Sequence, residues 1–358
     1  MTPSVLDKSK GVPVDTLVSV RASQGTLSKV ALQYRATDKK TGKTETVKVS
    51  GQLNAAKSGW TATERLEPSA TYTLVMRGVN ASDRAATTAQ TTFSTQKLTL
   101  DDQTFPSLFP LPDTTVGVGM PVVLTFDVPV KDRKEVEKHL TVTSAPDQPG
   151  SWHWYSDSEV HYRPKTYWKS GTKVAVEADL NGVDAGGGIY GQTSASTSFT
   201  IGRSVVTKIN LASKQAKVYV DGDLARRIPV SGGKPGFISR SGSKLIMAKL
   251  AETRMASETI GIGEDSPEAY DLKVKYAMRV TSSGEFLHAA PWNGAKFGRV
   301  NASHGCIGMS TSDAQWLFNQ VTIGDPVITT GTGRGLEQGN GWTDWDVPFS
   351  QYKKGSAL

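Results

Sequence analysis

Cysteine is almost absent: Cys306 is the one thiol in 358 residues. A single cysteine excludes an intramolecular disulfide, and no Cys/His spacing of the zinc-binding kind is present. Long apolar runs are missing as well, since nothing approaches the ~18 apolar residues of a membrane span. Met1-Thr2-Pro3-Ser4 has neither a basic start nor an apolar stretch, so no export signal is visible. Charge is not massed anywhere. The formal net charge is +7 with the basic residues dispersed, which leaves nucleic-acid binding without a basic stripe or recognition motif. A weak pull toward an anionic polymer such as a cell wall is one reading of that charge; a solvated surface is the simpler one.

What remains is ordinary globular material, too long for one core, so two or three domains are expected. Residues 1–98 read as a β-sandwich. Val30, Leu32, Tyr34 and Ala36 alternate with polar neighbours, and Val47 and Val49 flank Lys48 in the same period. Leu66 to Tyr72 resembles a tyrosine corner, in which a phenol bonds back to the main chain. Residues 99–202 form a second module: Val122, Leu124, Phe126 and Val128 alternate, and Pro129 ends that strand or puts it at an edge. Trp152–Tyr155 and Val160–Tyr162 are aromatic strands, where packing is favoured over sugar stacking. His139, His153 and His161 share no motif and read as structural or surface residues. Asn181 to Gly191 reads as a glycine-rich loop.

From 203 to 330 short strands surround one helix. Asp221-Gly222 is a hairpin signal. A helix follows the cysteine, with Ser312 and Gln315 as a capping box and Ala314, Leu317, Phe318 and Val321 on one face. Residues 331–358 read as a glycine-rich connection leading to Trp342, Trp345 and Phe349, an aromatic segment that docks on the preceding domain.

A lone thiol has a bland explanation as a small buried side chain. Its neighbours favour nucleophilic chemistry: Ser303-His304-Gly305-Cys306 is preceded by His288, with 14 residues between His288 and Ser303. A base is needed because little thiolate exists otherwise at neutral pH. This arrangement resembles the L,D-transpeptidase (YkuD-type) family, whose signature is a His, a short insert, then Ser/Thr-His-Gly-Cys. Val218 to Gly233 is similar to the opening strands of that catalytic domain, and Asp344 to Phe349 to the C-terminal extension of its mycobacterial branch. The resemblance implies a mainly β chain. Two immunoglobulin-like β-sandwiches (1–98, 99–202) would precede a β-rich YkuD-type catalytic domain with one main helix (203–330) and a short C-terminal subdomain packing on it (331–358).

The resemblance also implies roles. Cys306 would be the nucleophile and His288 the general base, oriented by the main-chain carbonyl of Ser303. Gly305, His304 and Cys306 would offer N–H groups to an oxyanion, with His304 alternatively a packed support. The start of the helix near Ser310 would lower the thiol pKa if its end faced the site. Tyr270 and Met255 match a flap over the donor groove, Trp292 an aromatic near the base, and Ser283 a polar groove position; ordinary packing or, for Ser283, a solvated hydroxyl is the alternative. Gly308 stands where the mycobacterial branch usually has Asn, so altered efficiency or inhibitor response is expected there.

The implied activity is 3→3 cross-linking of peptidoglycan stem peptides. A tetrapeptide donor would lose D-Ala to form a thioester that an acceptor stem amine resolves, and carbapenems would acylate the same cysteine. Neither a metal nor an organic cofactor is called for. The expected location is the periplasmic side of the cell envelope, with a membrane anchor in a longer full-length chain. Rival readings are an L,D-carboxypeptidase using water, a weakly active wall-binding protein, and lastly a papain-like peptidase, which lacks the expected flanking residues.

Overall fold

Alternation of apolar and polar residues becomes strand almost throughout the computed structural model, which describes residues 1–37 and 41–358. Two compact units result. One holds Met1–Ser107, Phe126–Leu140 and Ala178–Ala195; the other holds Leu108–Thr125, Thr141–Glu177 and Ser196–Leu358.

In the first unit two four-stranded sheets face each other. One runs in the order Thr2–Pro3, Ser19–Arg21, Gly59–Ala62, Gly51–Leu53, and the other Thr44–Val49, Gly25–Thr37, Thr71–Asn80, Ala86–Ser94. Val18, Val20 and Trp60 from one side share a core with Leu32, Leu74 and Phe93 from the other. The tyrosine corner is present: the phenol oxygen of buried Tyr72 accepts the Glu67 N–H at 2.7 Å. The stretch expected as a loop at Asn181 to Gly191 instead carries paired strands, Asp184–Gly186 and Ile189–Gly191. Gly186, Gly187 and Gly188 at φ +83, +68 and +83 turn the chain tightly enough to allow it. Arg65 fastens this region by bonding Asp179 at 3.3 Å and His139 at 3.1 Å.

Most of two further sheets belongs to the second unit: Pro106–Phe109, Val122–Phe126, Glu159–Pro164, Gly150–Trp154 in that order, and Thr115–Val116, Ala195–Ile201, Lys173–Ala178, Leu140–Ala145. Val122–Phe126 is an interior strand that stops before Pro129, not an edge. The aromatic strands pair as a hairpin with Trp152 opposite Tyr162 and His153 opposite His161. The C-terminal aromatic segment, expected to pack on the catalytic strands, closes mainly on this hairpin. Buried Arg163 lies 4.3 Å from the rings of both Trp345 and Tyr352, a cation held between aromatic faces. His153 Nδ1 donates to the Tyr352 carbonyl at 2.6 Å, and Asp344 meets His161 at 2.9 Å. Asp346 reaches across to accept the Ser243 N–H at 2.7 Å, and ahead of it Gly335 bridges Ser241, Glu337 pairs with Arg240 and Asn340 reaches Ser283.

The rest of this unit is a five-stranded sheet (Asp223–Pro229, Gln215–Val220, Val205–Asn210, Pro326–Thr330, Gly242–Leu245) and a four-stranded one (Ala248–Ala256, Asp271–Arg279, Phe286–Ala289, Ile307–Met309). Asp221 and Gly222, at φ +51 and +95, make the expected two-residue turn. Helix Thr311–Gln320 buries Ala314 and Leu317 against the shared core. Its cap is Ser310, whose Oγ accepts the Asp313 N–H at 3.1 Å, not the expected Ser312. Among the described residues no helix is long and apolar enough to cross a membrane.

Candidate active site

The period of two in a strand places the chemistry. Strand Phe286–Ala289 runs parallel to Ile307–Met309 with His288 opposite Gly308. Leu287, Ala289, Ile307 and Met309 point into the core, so His288 and Gly308 share the other face, with Cys306 one alternation earlier. There they line a cavity of ≈ 180 Å³ with Met255, Tyr270, Leu272, Val274, Ala290, Trp292, Asn293, Ala302, Ser303 and His304.

Burial pushes the Cys306 thiol up to about 11; a bond to the Phe286 main chain pulls the other way, nearby Glu285 adds to the rise, and Lys244 opposes it. The cysteine therefore rests as a thiol, donating to the Gly284 carbonyl at 3.7 Å. Burial also holds His288 below its usual range, against the pull of its bond to the Ala289 carbonyl. That bond, 2.8 Å from Nδ1, fixes the tautomer. A carbonyl only accepts, so Nδ1 carries the proton and Nε2 is left basic.

Ser303 does not supply the orienting carbonyl. The short pairing of Gly233 with Ser303 turns that carbonyl to the Lys234 N–H at 2.9 Å. Its hydroxyl staples the loop instead, donating to the Cys306 carbonyl and accepting the Gly305 N–H at 3.1 Å. Gly305 is thus engaged in this state, and its φ of +126 is the reason glycine is needed. Ser239 Oγ donates to its carbonyl at 2.6 Å. His304 is a packed support: Nε2 lies 2.7 Å from Glu268, and the ring sits 4.6 Å from Phe237 and 5.0 Å from Tyr270. The helix does not depress the thiol pKa, because strand Ile307–Met309 carries its start on the order of 10 Å beyond Cys306.

Met255, Tyr270, Trp292 and Gly308 all line the cavity, and Trp292 lies 6.1 Å from the His288 ring. Ser283 does not line it. Its N–H donates to Asn340 Oδ1 at 2.9 Å and its hydroxyl accepts from Asn340 Nδ2 at 3.0 Å. At Gly308 a Cβ would stand 2.9 Å from the Ala290 Cβ, so a larger residue needs the strand or Ala290 to shift. Leu272 and Val274 escaped sequence reading although they follow Tyr270 at strand spacing. Beneath the loop lies a buried charge group that no local signal announced. Glu285 accepts from Lys244 at 3.1 Å and Arg240 at 3.0 Å, and Arg240 also pairs with Glu337.

Residues 204–329 match the family described as L,D-transpeptidase catalytic domain, and residues 9–184 match bacterial Ig domain. L,D-transpeptidase 2 of Mycobacterium tuberculosis is 34% identical over 358 residues, covering 100% of this chain and 85% of its own length. A solved L,D-transpeptidase in complex with imipenem aligns with 63% of this chain and 97% of its own, at 34% identity and a TM-score of 0.55. L,D-transpeptidase 3 from Mycobacterium tuberculosis in complex with a faropenem-derived adduct gives 63%, 97%, 32% and 0.53 in the same terms.

Proposed function

The chain belongs to the L,D-transpeptidase family, and we propose that it forms 3→3 cross-links in peptidoglycan through a thioester on Cys306. The observation that carries this reading is the shared face of two parallel strands, which brings His288 and Cys306 into one cavity. In the first half-reaction the thiol leaves the Gly284 carbonyl and gives its proton to His288 Nε2. Sγ then bonds to the donor carbonyl carbon. The imidazolium returns the proton to the departing D-Ala amine as the C–N bond breaks, leaving a thioester. An amine of a second stem attacks that thioester, His288 takes its proton, and the thiol is restored. The Cys306 N–H, and the Gly305 N–H once Ser303 Oγ releases it, would bind the oxyanion. A neutral thiol beside a neutral imidazole fits general-base attack in place of a preformed ion pair.

Met255, Tyr270, Leu272 and Trp292 would grip the donor stem. A β-lactam of the imipenem type would acylate Cys306, since its strained ring offers an activated carbonyl. The location would be the cell envelope, outside the membrane and anchored to it, with two immunoglobulin-like modules (1–98 and 99–202) as spacers ahead of a catalytic domain (203–330) and its C-terminal subdomain (331–358). Incubation with a disaccharide-tetrapeptide, followed by mass spectrometry beside Cys306→Ala, tests the reading. A Cys306-dependent dimer lacking one D-Ala is expected. Tripeptide alone would make the protein a carboxypeptidase, and no turnover would end the proposal.

A further inference from the structure

The loop between strands Ala248–Ala256 and Asp271–Arg279 carries Tyr270 at its end and is closed at its neck. Ser257 N–H donates to the Tyr270 carbonyl at 2.9 Å, and Arg254 grips Asp271 at 2.8 and 3.0 Å. Within the loop Gly261, Ile262, Ser266 and Ala269 donate to carbonyls of the same segment. Among the described residues the hydrogen bonds of 257–270 close within this hairpin, with one exception, the carboxylate of Glu268. Its Oε2 takes both Lys234 Nζ and, at 2.7 Å, His304 Nε2. Each partner is itself built into the nucleophile loop. Lys234 donates its N–H to the Ser303 carbonyl, and His304 directly precedes Gly305-Cys306.

We propose that Glu268 is a latch that fastens the 257–270 loop to the nucleophile loop, making it a positioning residue for acyl transfer. Joined to Lys234 and His304, it keeps Tyr270 against the His304 ring and so at the cavity wall. Through His304 it also steadies the main chain that presents Cys306. The three side chains are 37%, 29% and 21% exposed, too wet for the pairs to matter much to global folding. Their effect is local, on a segment that among the described residues has no other polar tie beyond its own hairpin. The consequence for acylation rests on the reading of Cys306 given above; the mechanical role does not.

The test uses the whole chain with Glu268→Ala and Glu268→Gln. Amide exchange across 258–269 is measured at low and high salt, alongside the concentration dependence of Cys306 acylation by imipenem and the unfolding midpoint. Glu268→Ala should exchange about fivefold faster in the loop, as loss of a surface ion pair allows. Glu268→Gln, which retains an acceptor for His304, should fall between. Added salt should speed the wild-type loop more than that of Glu268→Ala, which keeps the exposed Arg254–Asp271 pair at its neck. Imipenem should bind the variants more weakly, with an unchanged unfolding midpoint. Wild-type exchange in Glu268→Ala, or a midpoint that falls with exchange quickened everywhere, would overturn the latch. A wild-type protein that imipenem never acylates would overturn the function instead, while the exchange measurement still decides the latch.

Discussion

Two histidines of the second unit lie almost wholly out of solvent, His161 at 1% and His288 at 6% exposure, and their surroundings treat them in opposite ways. Among the described residues no carboxylate bonds His288. Its ring bonds the Ala289 carbonyl, and burial leaves it neutral. His161 is also penalised by burial, yet Asp344 and Glu159, each at 2.9 Å, outweigh that penalty and push it up to about 9. A base must be free to accept a proton, so the site withholds anions from it. A clamp must hold its charge, so the C-terminal segment brings an anion to it. The same side chain becomes reactive or structural through the presence of two carboxylates.

The largest effect expected lies on the reactive side of this contrast. Cys306→Ala should lose the imipenem adduct entirely by intact-mass measurement, and an adduct surviving in that variant would sink the assignment. His288→Ala should slow acylation by roughly 10²–10⁴-fold, the usual range for losing a positioned base; a loss under tenfold would show that Nε2 is not that base.

On the structural side, Asp344→Ala leaves a buried imidazole short of its anion and shifts the Tyr352 hydroxyl from its 3.0 Å carboxylate acceptor onto the His161 carbonyl at 3.2 Å. Breaking such a pair costs on the order of 3–5 kcal/mol. Urea unfolding should register it, with exchange in 344–356 rising first. An unmoved midpoint would show that the clamp is unimportant.

The two histidines also respond to pH with opposite sign. His161 keeps its proton in the folded chain up to about 9, against 6.5 for a free imidazole. Its contribution is therefore full below about 6.5 and is lost as pH rises through about 9. For His288 the folded value lies below 6.5, so its contribution is lost as pH falls from there. Exchange in 344–356 should quicken toward alkaline pH, while the acid limb of acylation should fall below pH 6.5. An acid limb above pH 7 would contradict the neutral base.

Gly308→Asn should have the smallest effect. The new Cβ meets Ala290, and overpacking of this kind costs about 1–3 kcal/mol. Acylation should change several-fold, and Ala290→Gly should recover part of the stability. An unchanged acylation rate would remove any role for this position in efficiency.

Local pattern announced much of this molecule. Strand alternation, the Asp221-Gly222 turn, the phenol of Tyr72 and the Ser-His-Gly-Cys run all depend on neighbours within a few residues. Errors arose where partners are far apart in the chain. The C-terminal rings found Arg163 and not the expected strands, because a cation between aromatic faces is visible only once 163 and 345–352 meet. The family resemblance gives the Ser303 carbonyl to His288, yet the Lys234 N–H of another loop claims it. The same resemblance puts Ser283 in the groove, yet Asn340 holds it elsewhere.

The sequence by itself determined which side chains the proposed chemistry would use, since a lone thiol and an imidazole at that spacing carry their chemistry in their side chains. Tertiary structure alone decided their protonation and aim. Desolvation, the partner of each lone pair and the distance to the nearest charge are properties of space, which Glu285, Lys244 and Gly284 fill only when the sheets have formed.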